Sequence, residues 1–377
     1  MAALAIATAA LIIVLSVFNG LESLLRSLNN SFDPELKVMA VKGKSFLVTD
    51  SLIQRIQTLD GVKIVTEVIE DYAYVRYREA DMVATIKGVS QNFIDQHRMD
   101  EALTQGTLVL LRDSTEYAVI GQGVQYTLSL PLADTFNPLQ VFYIKNTSGT
   151  AALPTDLYYQ QNLQVSGVFS IEKNIDENYI VLPLRFAQRL LNYGSKRTSL
   201  EIQTTGRTKE VQQAVQRLLG EGFQVLTNEQ QHKDLYRLLK FEKLFTFLAF
   251  VLLVFIAAIN VFFSLMMLVI DKKRDLTILT ALGARDLTLR TVFLYEGVLI
   301  ACLGVGSGLL LGAFICWLQQ TFGLVGMGMA NAIVNDYPVT MQASDFLITA
   351  ITLILIASAM AIYPARMATR SYQADTL

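Results

Sequence analysis

The stretch DKKRDLTILTALGARDLTLR, residues 271–290, sets eight charged side chains and a central glycine between two strongly apolar runs. Leu276, Ile278, Leu279 and Leu282 recur through it at helical spacing, led by Lys272, Lys273, Arg274 and Asp275. Gly283 is a natural helix stop, because glycine takes a left-handed backbone without a Cβ penalty, and Asp286 is placed to cap a following helix. The stretch therefore reads as a short amphipathic helix, a break, and a re-entry into an apolar segment. Such a helix offers leucines to a groove and charges to its rim, or else lies on a lipid surface.

Working outward, residues 244–270 and 297–318 carry no charge, and neither do 1–18 and 346–365, the last ending at Tyr363-Pro364. Each run approaches the roughly 20 apolar residues that cross about 30 Å of hydrocarbon. Charged residues make up 17% of the 377-residue chain, well under the roughly one quarter of a soluble domain, and the apolar excess gathers into these runs. A net charge of −2 gives no reason to expect nucleic acid as a partner. The expected organisation is an α-helical membrane protein with four transmembrane helices plus a large mixed α/β domain between the first and second. Its parts are helix 1 (1–19), the domain with flanking stalks (20–243), helix 2 (244–270), a cytoplasmic helix (271–290), helix 3 (291–318), an outer loop (319–345), helix 4 (346–365) and a tail (366–377).

Orientation follows the positively charged loops. Lys272, Lys273, Arg274, Arg285 and Arg290 mark 271–296 as cytoplasmic, and Arg366 and Arg370 do the same for the tail. The 319–345 loop has no Lys or Arg, so it and the large domain are expected outside. The first run lacks a basic leading segment and continues as the amphipathic NGLESLLRSLNNSF, which favours an uncleaved helix over a signal peptide.

Within 20–243, ELKVMAV (35–41), VKIVTEVIE (62–70), YAYVRYRE (72–79), MVATIKGV (82–89), QVSGVFS (164–170) and SLEIQTT (199–205) read as strands. Turn signals fall at Glu70-Asp71 and Ala80-Asp81. DSLIQRIQTLDG (50–61) and RTKEVQQAVQRLLG (207–220) read as helices, the second closed by Gly220. The 95–165 segment reads as an inserted subdomain. Residues 20–32, and 228–245 with neither Gly nor Pro, read as continuous helices entering the membrane. They are either stalks that transmit movement or surface helices near the bilayer.

No catalytic constellation emerges, and no catalytic, cofactor or metal residue is assigned. His97 and His232 lack metal-ligand spacing, and the chain has no P-loop. Gly304, Gly308 and Gly312 form a small-residue stripe on one helix face, the pattern of helix packing. Glu296, at the cytoplasmic start of the third span, is either functional or a helix N-terminal charge. Cys302 and Cys316 would lie about 21 Å apart along a helix, too far to bridge.

DKKRDLTILTALGA resembles the coupling segment of the FtsX/MacB-like ABC permeases, as do the four spans, the single large domain and the terminal YPARMATR. Within that superfamily, ALIIVLSVFNGLE (10–22), INVFFSLMMLVIDKKRDLTIL (259–279), CWLQQTFGLV (316–325) and YPVTMQASDF (337–346) resemble the lipoprotein-releasing, LolC/LolE-like branch. That family usually begins with a cytoplasmic helix and a longer first span, so the resemblance implies a start within the span. It also implies a non-catalytic permease subunit of the bacterial inner membrane. Two permease chains, identical or paralogous, would sit on a separate ATPase that binds ATP and Mg²⁺. A lipoprotein substrate would enter from membrane lipid between the first and second spans and pass to a periplasmic lipoprotein carrier. Arg274, Asp275, Leu276, Leu279, Leu282 and Gly283 would couple to the ATPase. Phe18, Leu21, Phe245 and Leu248 would line the lipid entry. The other readings are a MacB-like exporter of periplasmic substrates and an FtsX-like signalling permease that activates a cell-wall hydrolase.

Overall fold

The computed structural model describes residues 1–134, 136–144, 158–326 and 336–370, with side chains through residue 367. The chain forms two compact units, Arg26–Lys233 and the remainder. In chain order, α1 (Ala2–Phe32) leads into β1 (Leu36–Ala40), β2 (Phe46–Leu47), α2 (Asp50–Gln57), β3 (Val62–Tyr77) and β4 (Ala80–Val89). Next come β5 (Leu103–Gly106), β6 (Leu111–Arg112), β7 (Thr115–Gly121), α3 (Gln122–Leu128), β8 (Leu139–Ile144) and β9 (Tyr158–Phe169). Then follow α4 (Lys173–Asn178), β10 (Tyr179–Pro183), α5 (Leu184–Leu191), β11 (Lys196–Arg197), β12 (Ser199–Thr204), α6 (Thr208–Leu219) and β13 (Phe223–Thr227). The chain closes with α7 (Asn228–Gln231), α8 (Lys233–Asp271), α9 (Lys273–Ala281), α10 (Asp286–Phe322) and α11 (Ala343–Arg370).

α1, α8, α10 and α11 are each long and apolar enough to cross a membrane. They share one core of Leu4, Leu11 and Leu15 from α1, Val254 from α8, Ala301 and Val305 from α10, and Leu353 and Ala357 from α11. Their outward faces are also apolar, with Leu252, Phe263, Met267, Leu310 and Leu355 mostly exposed. A surface of that kind is a liability in water and the expected one in hydrocarbon. α11 runs through Pro364 to Arg370, past the expected end at 365. A proline removes one backbone donor, and a membrane helix tolerates that loss.

The Arg26–Lys233 unit is built on an eleven-stranded sheet, ordered β13-β1-β12-β3-β4-β10-β7-β9-β5, with β6 on β7 and β8 joining β3 to β9. That last pairing closes β3, β4, β10, β7, β9 and β8 into a ring around Ile69, Val75, Ile86, Ile120 and Ile180. β13, β1 and β12 form a wing on β3, with Ile56 of α2 and Val211 and Val215 of α6 in its core.

Three expectations are corrected here. β3 is one strand of 16 residues, without a turn at Glu70-Asp71. The two acids have partners that make a turn unnecessary: Glu70 accepts from the Tyr179 hydroxyl at 2.9 Å, and Asp71 from Tyr193 at 3.0 Å and from Lys44. β3 must be long because its first half pairs with β12 in the wing and its second half with β8 in the ring. The hairpin turn lies at Arg78-Glu79, not at Ala80-Asp81, since Tyr77 pairs with Ala80. Arg78 takes a φ of 53° there. The 95–165 segment is no separate subdomain where it is described: β7 and β9 are central strands of the same sheet. Its residues 135 and 145–157 lie outside the described residues.

Candidate functional site

Lys272 alone separates α8 from α9, and its N–H still reaches the Leu268 carbonyl at 3.0 Å. Leu276 turns inward, 6% exposed, and packs with Val269, Leu289, Phe293 and Ala365. It therefore fastens the turn to the bundle and is withdrawn from the presented face, a correction to its expected role at a groove. Ile278, Leu279 and Leu282 remain exposed, beside the exposed Arg274. Asp275 is exposed and takes Lys272 at 3.1 Å.

Gly283 ends α9 with a φ of +93°, and its surroundings are open. The Ala284 N–H closes the turn on the Leu279 carbonyl at 3.0 Å. Arg285, in extended geometry, is the N-cap of α10, so Asp286 is the first helical residue and not the expected cap. An acid in a helix's first turn still complements the dipole.

The glycine stripe of α10 lies against α1. A Cβ on Gly304 would come 2.9 Å from Leu4 Cδ2, one on Gly308 2.5 Å from the Ala5 carbonyl oxygen, and one on Gly312 3.1 Å from the Ala9 carbonyl oxygen. Glycine thus brings two helix backbones to close approach. Of the lipid-entry candidates, Phe18 and Leu21 are half-buried on α1, and Phe245 and Leu248 are exposed on α8. Glu296 is half-buried on α10.

Sequence reasoning passed over a polar cluster that joins the helices. Lys243 of α8 donates to Asp345 of α11 at 3.0 Å and to Asn19 of α1 at 2.7 Å. Its signal is visible in retrospect: each residue sits one position outside an uncharged run. α1 therefore ends its apolar run on the side where α8 and α11 begin theirs.

A second cluster lies within the α/β unit. The helix expected through 228–245 breaks at His232, between α7 and α8, although neither Gly nor Pro is present. A Thr227–Gln230 capping box starts the short α7, and His232 turns aside to meet Asp33 at 2.7 Å. Gln231 donates to the Pro34 carbonyl at 3.1 Å, and Arg26 pairs with Glu229. Burial would raise the Asp33 carboxyl, but the His232 hydrogen bond and the Lys87 charge outweigh it and hold it below its ordinary value. That hydrogen bond to Asp33 raises His232 against the opposing effect of burial. Burial raises Glu172 beside them.

Phe32, the last residue of α1, is buried among Val68, Phe93, Phe169 and Val181. Lys87 Nζ stands 4.1 Å from its ring centre and 3.3 Å from its carbonyl oxygen, a cation at a helix C-terminus. Lys87 also pairs with the buried Glu201 at 2.8 Å, and Arg98 pairs with the same carboxylate. Burial would raise Glu201, yet these cations hold it well below the usual carboxylate range. His97 pairs with Asp100 at 2.7 Å. Among the described residues, no three His, Cys, Asp or Glu are grouped to hold a metal ion.

The family model of the MacB-like periplasmic core domain matches residues 1–218, and that of the FtsX-like permease C-terminal matches residues 247–373. The chain belongs to the FtsX/MacB-like permease family. Among relatives of this permease, the lipoprotein-releasing system transmembrane protein LolE of Haemophilus influenzae is 22% identical over 99% of this chain and 92% of its own. LolC of Xylella fastidiosa is 23% identical over 79% of this chain and 74% of its own. The crystal structure of the periplasmic region of MacB from Actinobacillus actinomycetemcomitans covers 55% of this permease and 94% of that chain, at 13% identity and a TM-score of 0.38. With its four spanning-length helices, the permease is a multi-pass membrane protein.

Proposed function

We propose that this chain is a non-catalytic permease subunit of an ABC complex that extracts lipoproteins from the outer leaflet of the bacterial inner membrane and hands them to a periplasmic carrier. ATP hydrolysis in a separate subunit drives the transfer. The similarity to LolE over 99% of this chain carries the reading. In it, the α/β unit is periplasmic, between the first and second spans, and the α9 turn is cytoplasmic. Two permease chains, identical or paralogous, flank two ATPase copies that hold ATP and Mg²⁺.

The residues have work suited to that scheme. Ile278, Leu279 and Leu282 present an apolar face that would dock in a groove on the ATPase, with Arg274 and Asp275 at its rim. Leu276 and Gly283 fix that face to α8 and α10, so a movement of the motor would reach the spans. α1 is a single helix ending at Phe32 in the domain core, suited to pass the movement on. Acyl chains would enter between α1 and α8 past Phe18, Leu21, Phe245 and Leu248. Extraction needs a motor, because each acyl CH₂ withdrawn from the bilayer costs about 0.8 kcal/mol until a carrier's own apolar pocket offsets it.

The test is purification of the chain with its neighbours in mild detergent, followed by identification by mass. An ATPase with a lipoprotein supports the reading. An outer-membrane channel with its adaptor points to MacB-like export, and a cell-wall hydrolase points to FtsX-like signalling. Recovery without any ATPase would remove all three.

A further inference from the structure

α10 and α11 nearly touch where Gly297 meets Ala361: a Cβ on the glycine would lie 2.4 Å from the alanine Cβ. Beside that contact, Thr291, Leu294 and Val298 of α10 and Leu355, Ala359 and Ile362 of α11 line a groove of about 570 Å³. On each helix these residues recur at helical spacing, so each wall is one continuous stripe. The Thr291 hydroxyl donates to the Leu287 carbonyl at 2.6 Å, which leaves its methyl group to the wall. The groove is open to the surroundings, with Leu355 64% exposed and Tyr295, also lining it, 71% exposed. In a membrane-spanning bundle such a groove meets acyl chains and not water.

α10 and α11 run in opposite directions, since Leu289 and Phe293 pack with Ala365 while Val298 and Leu355 share the groove farther along. The end of the groove at Thr291 and Ile362 is therefore the end nearer the α9 turn. Both walls run into an arginine there. Arg366 follows Ile362 by four positions and Arg290 precedes Leu294 by four, so each stands one helical turn beyond the wall and on its side of the helix. Both are exposed. Each engages another group as well, but a guanidinium carries five N–H donors and can take a phosphate beside it.

Acids do not cancel this charge along the walls. Among the described residues none lines the groove, and Glu296, five positions from Thr291 and two from Val298, turns to another face of α10. The general preference for cations at the cytoplasmic end of a span accounts for arginine at this depth. It does not account for two of them, each one turn beyond a wall of the same groove. An apolar trough ending in two cations matches a ligand with a hydrocarbon tail and an anionic head. A zwitterionic head brings its own ammonium, which the guanidinium groups repel.

We propose that the α10–α11 groove binds an anionic phospholipid, with an acyl chain along Leu294, Val298, Leu355 and Ala359 and the phosphate held by Arg290 and Arg366. Basic pockets between membrane helices on the cytoplasmic side recognise anionic head groups in this way. The site is apart from the acyl entry and from the α9 face of the proposed function and depends on neither.

The experiment adds dioleoyl phosphatidylglycerol and dioleoyl phosphatidylcholine, which share their chains and differ in head group, at equal concentration to the permease in mild detergent. Retained lipid is read by native mass spectrometry. The wild type is expected to prefer the anionic lipid roughly 20-fold. Arg290→Gln and Arg366→Gln should each lower that preference about fivefold, the worth of one arginine near an anionic lipid surface, and the double variant should hold the two lipids about equally. Ala359→Trp, which fills the groove, should lower retention of both lipids, and Val298→Trp does so from the other wall should Ala359→Trp not fold. Equal retention of the two lipids by the wild type overturns the site, as does an undiminished preference in the double variant. Retention of the anionic lipid unchanged in both filled variants overturns it too, since the head group would then be held without the groove. A photo-crosslinker at Tyr295 is expected to capture phosphatidylglycerol; capture of a second protein chain in its place makes the groove a protein interface and refutes the lipid site.

Discussion

Leu279→Asp tests the coupling turn most directly. Ile278, Leu279 and Leu282 leave 53%, 46% and 80% of their surfaces uncovered. Complete burial of such a side chain stabilises by about 1.5–3 kcal/mol, so the uncovered parts offer a partner roughly 3–5 kcal/mol, of which Leu279 holds about 1 kcal/mol. Aspartate forfeits that share and sets a carboxylate against an apolar groove, where it must be desolvated or neutralised. A combined loss of roughly 3 kcal/mol weakens docking on the order of 100-fold. The assay is ATPase co-purification alongside ATP turnover in nanodiscs. Leu276→Ala is the contrast: its side chain lies in the chain's own core, so about 2–5 kcal/mol is lost from the fold instead, read as a lower melting temperature. Leu279→Asp should leave the melting temperature unchanged. If it also leaves co-purification and turnover unchanged, α9 is only a surface helix, and the ABC permease proposal loses its mechanical support.

Other outcomes are expected from the same geometry. Gly308→Ala should destabilise the bundle by about 1–3 kcal/mol, since its Cβ has no room beside Ala5 and Thr8, while Gly306→Ala on the same helix should be tolerated in the open space there; melting curves in detergent compare them. Gly283→Val should cost about 1–2 kcal/mol through its positive φ alone and lower ATP turnover more than chain stability. The raised His232 contributes stability that is complete below its unfolded pKa, about 6.5, and is lost as pH rises through the folded value. The lowered Asp33 contributes stability present above about pH 3.9 and lost as pH falls through its own folded value. Thermal unfolding should therefore show the pair's contribution at its fullest between about pH 4 and 6.5 and waning above, and His232→Asn should flatten the alkaline limb. Gln140→Cys should be labelled from the periplasm and Thr277→Cys only after the inner membrane is opened; labelling of Thr277→Cys in intact spheroplasts reverses the proposed orientation.

The spans were readable because hydrocarbon imposes a composition that no soluble segment sustains. The Gly283 break was readable because one residue type meets a positive φ freely, and the stripe on α10 because close helix approach leaves the same residue at every fourth position. Features set by distant partners were hidden. Glu70-Asp71 looks like a turn until Tyr179, Tyr193 and Lys44 are known to arrive from elsewhere in the chain. His232 looks helical until Asp33, about 200 positions earlier, is seen to hold it. Leu276 and Leu279 are equivalent in an amphipathic pattern, and only the packing of Leu289, Phe293 and Ala365 separates the inward residue from the outward one. The Asn19–Lys243–Asp345 cluster was latent in the boundaries of three runs, but its pairing depends on which helices are neighbours.

The closed ring of β3, β4, β10, β7, β9 and β8 bears on how such domains behave in company. The three longest strands, β3, β4 and β9, each have partners on both sides over part of their length; β4 has a single neighbour at 80–84 and β9 at 158–163. Among the described residues, the ends of the main sheet order are β13 and β5, strands of five and four residues. Growth of one sheet onto another requires a long, unpaired edge, and short edges resist it. Two of these domains meeting at those ends would thus have little backbone with which to knit together. Association at those ends would rest on side chains, which separate and re-form more readily than a shared backbone ladder.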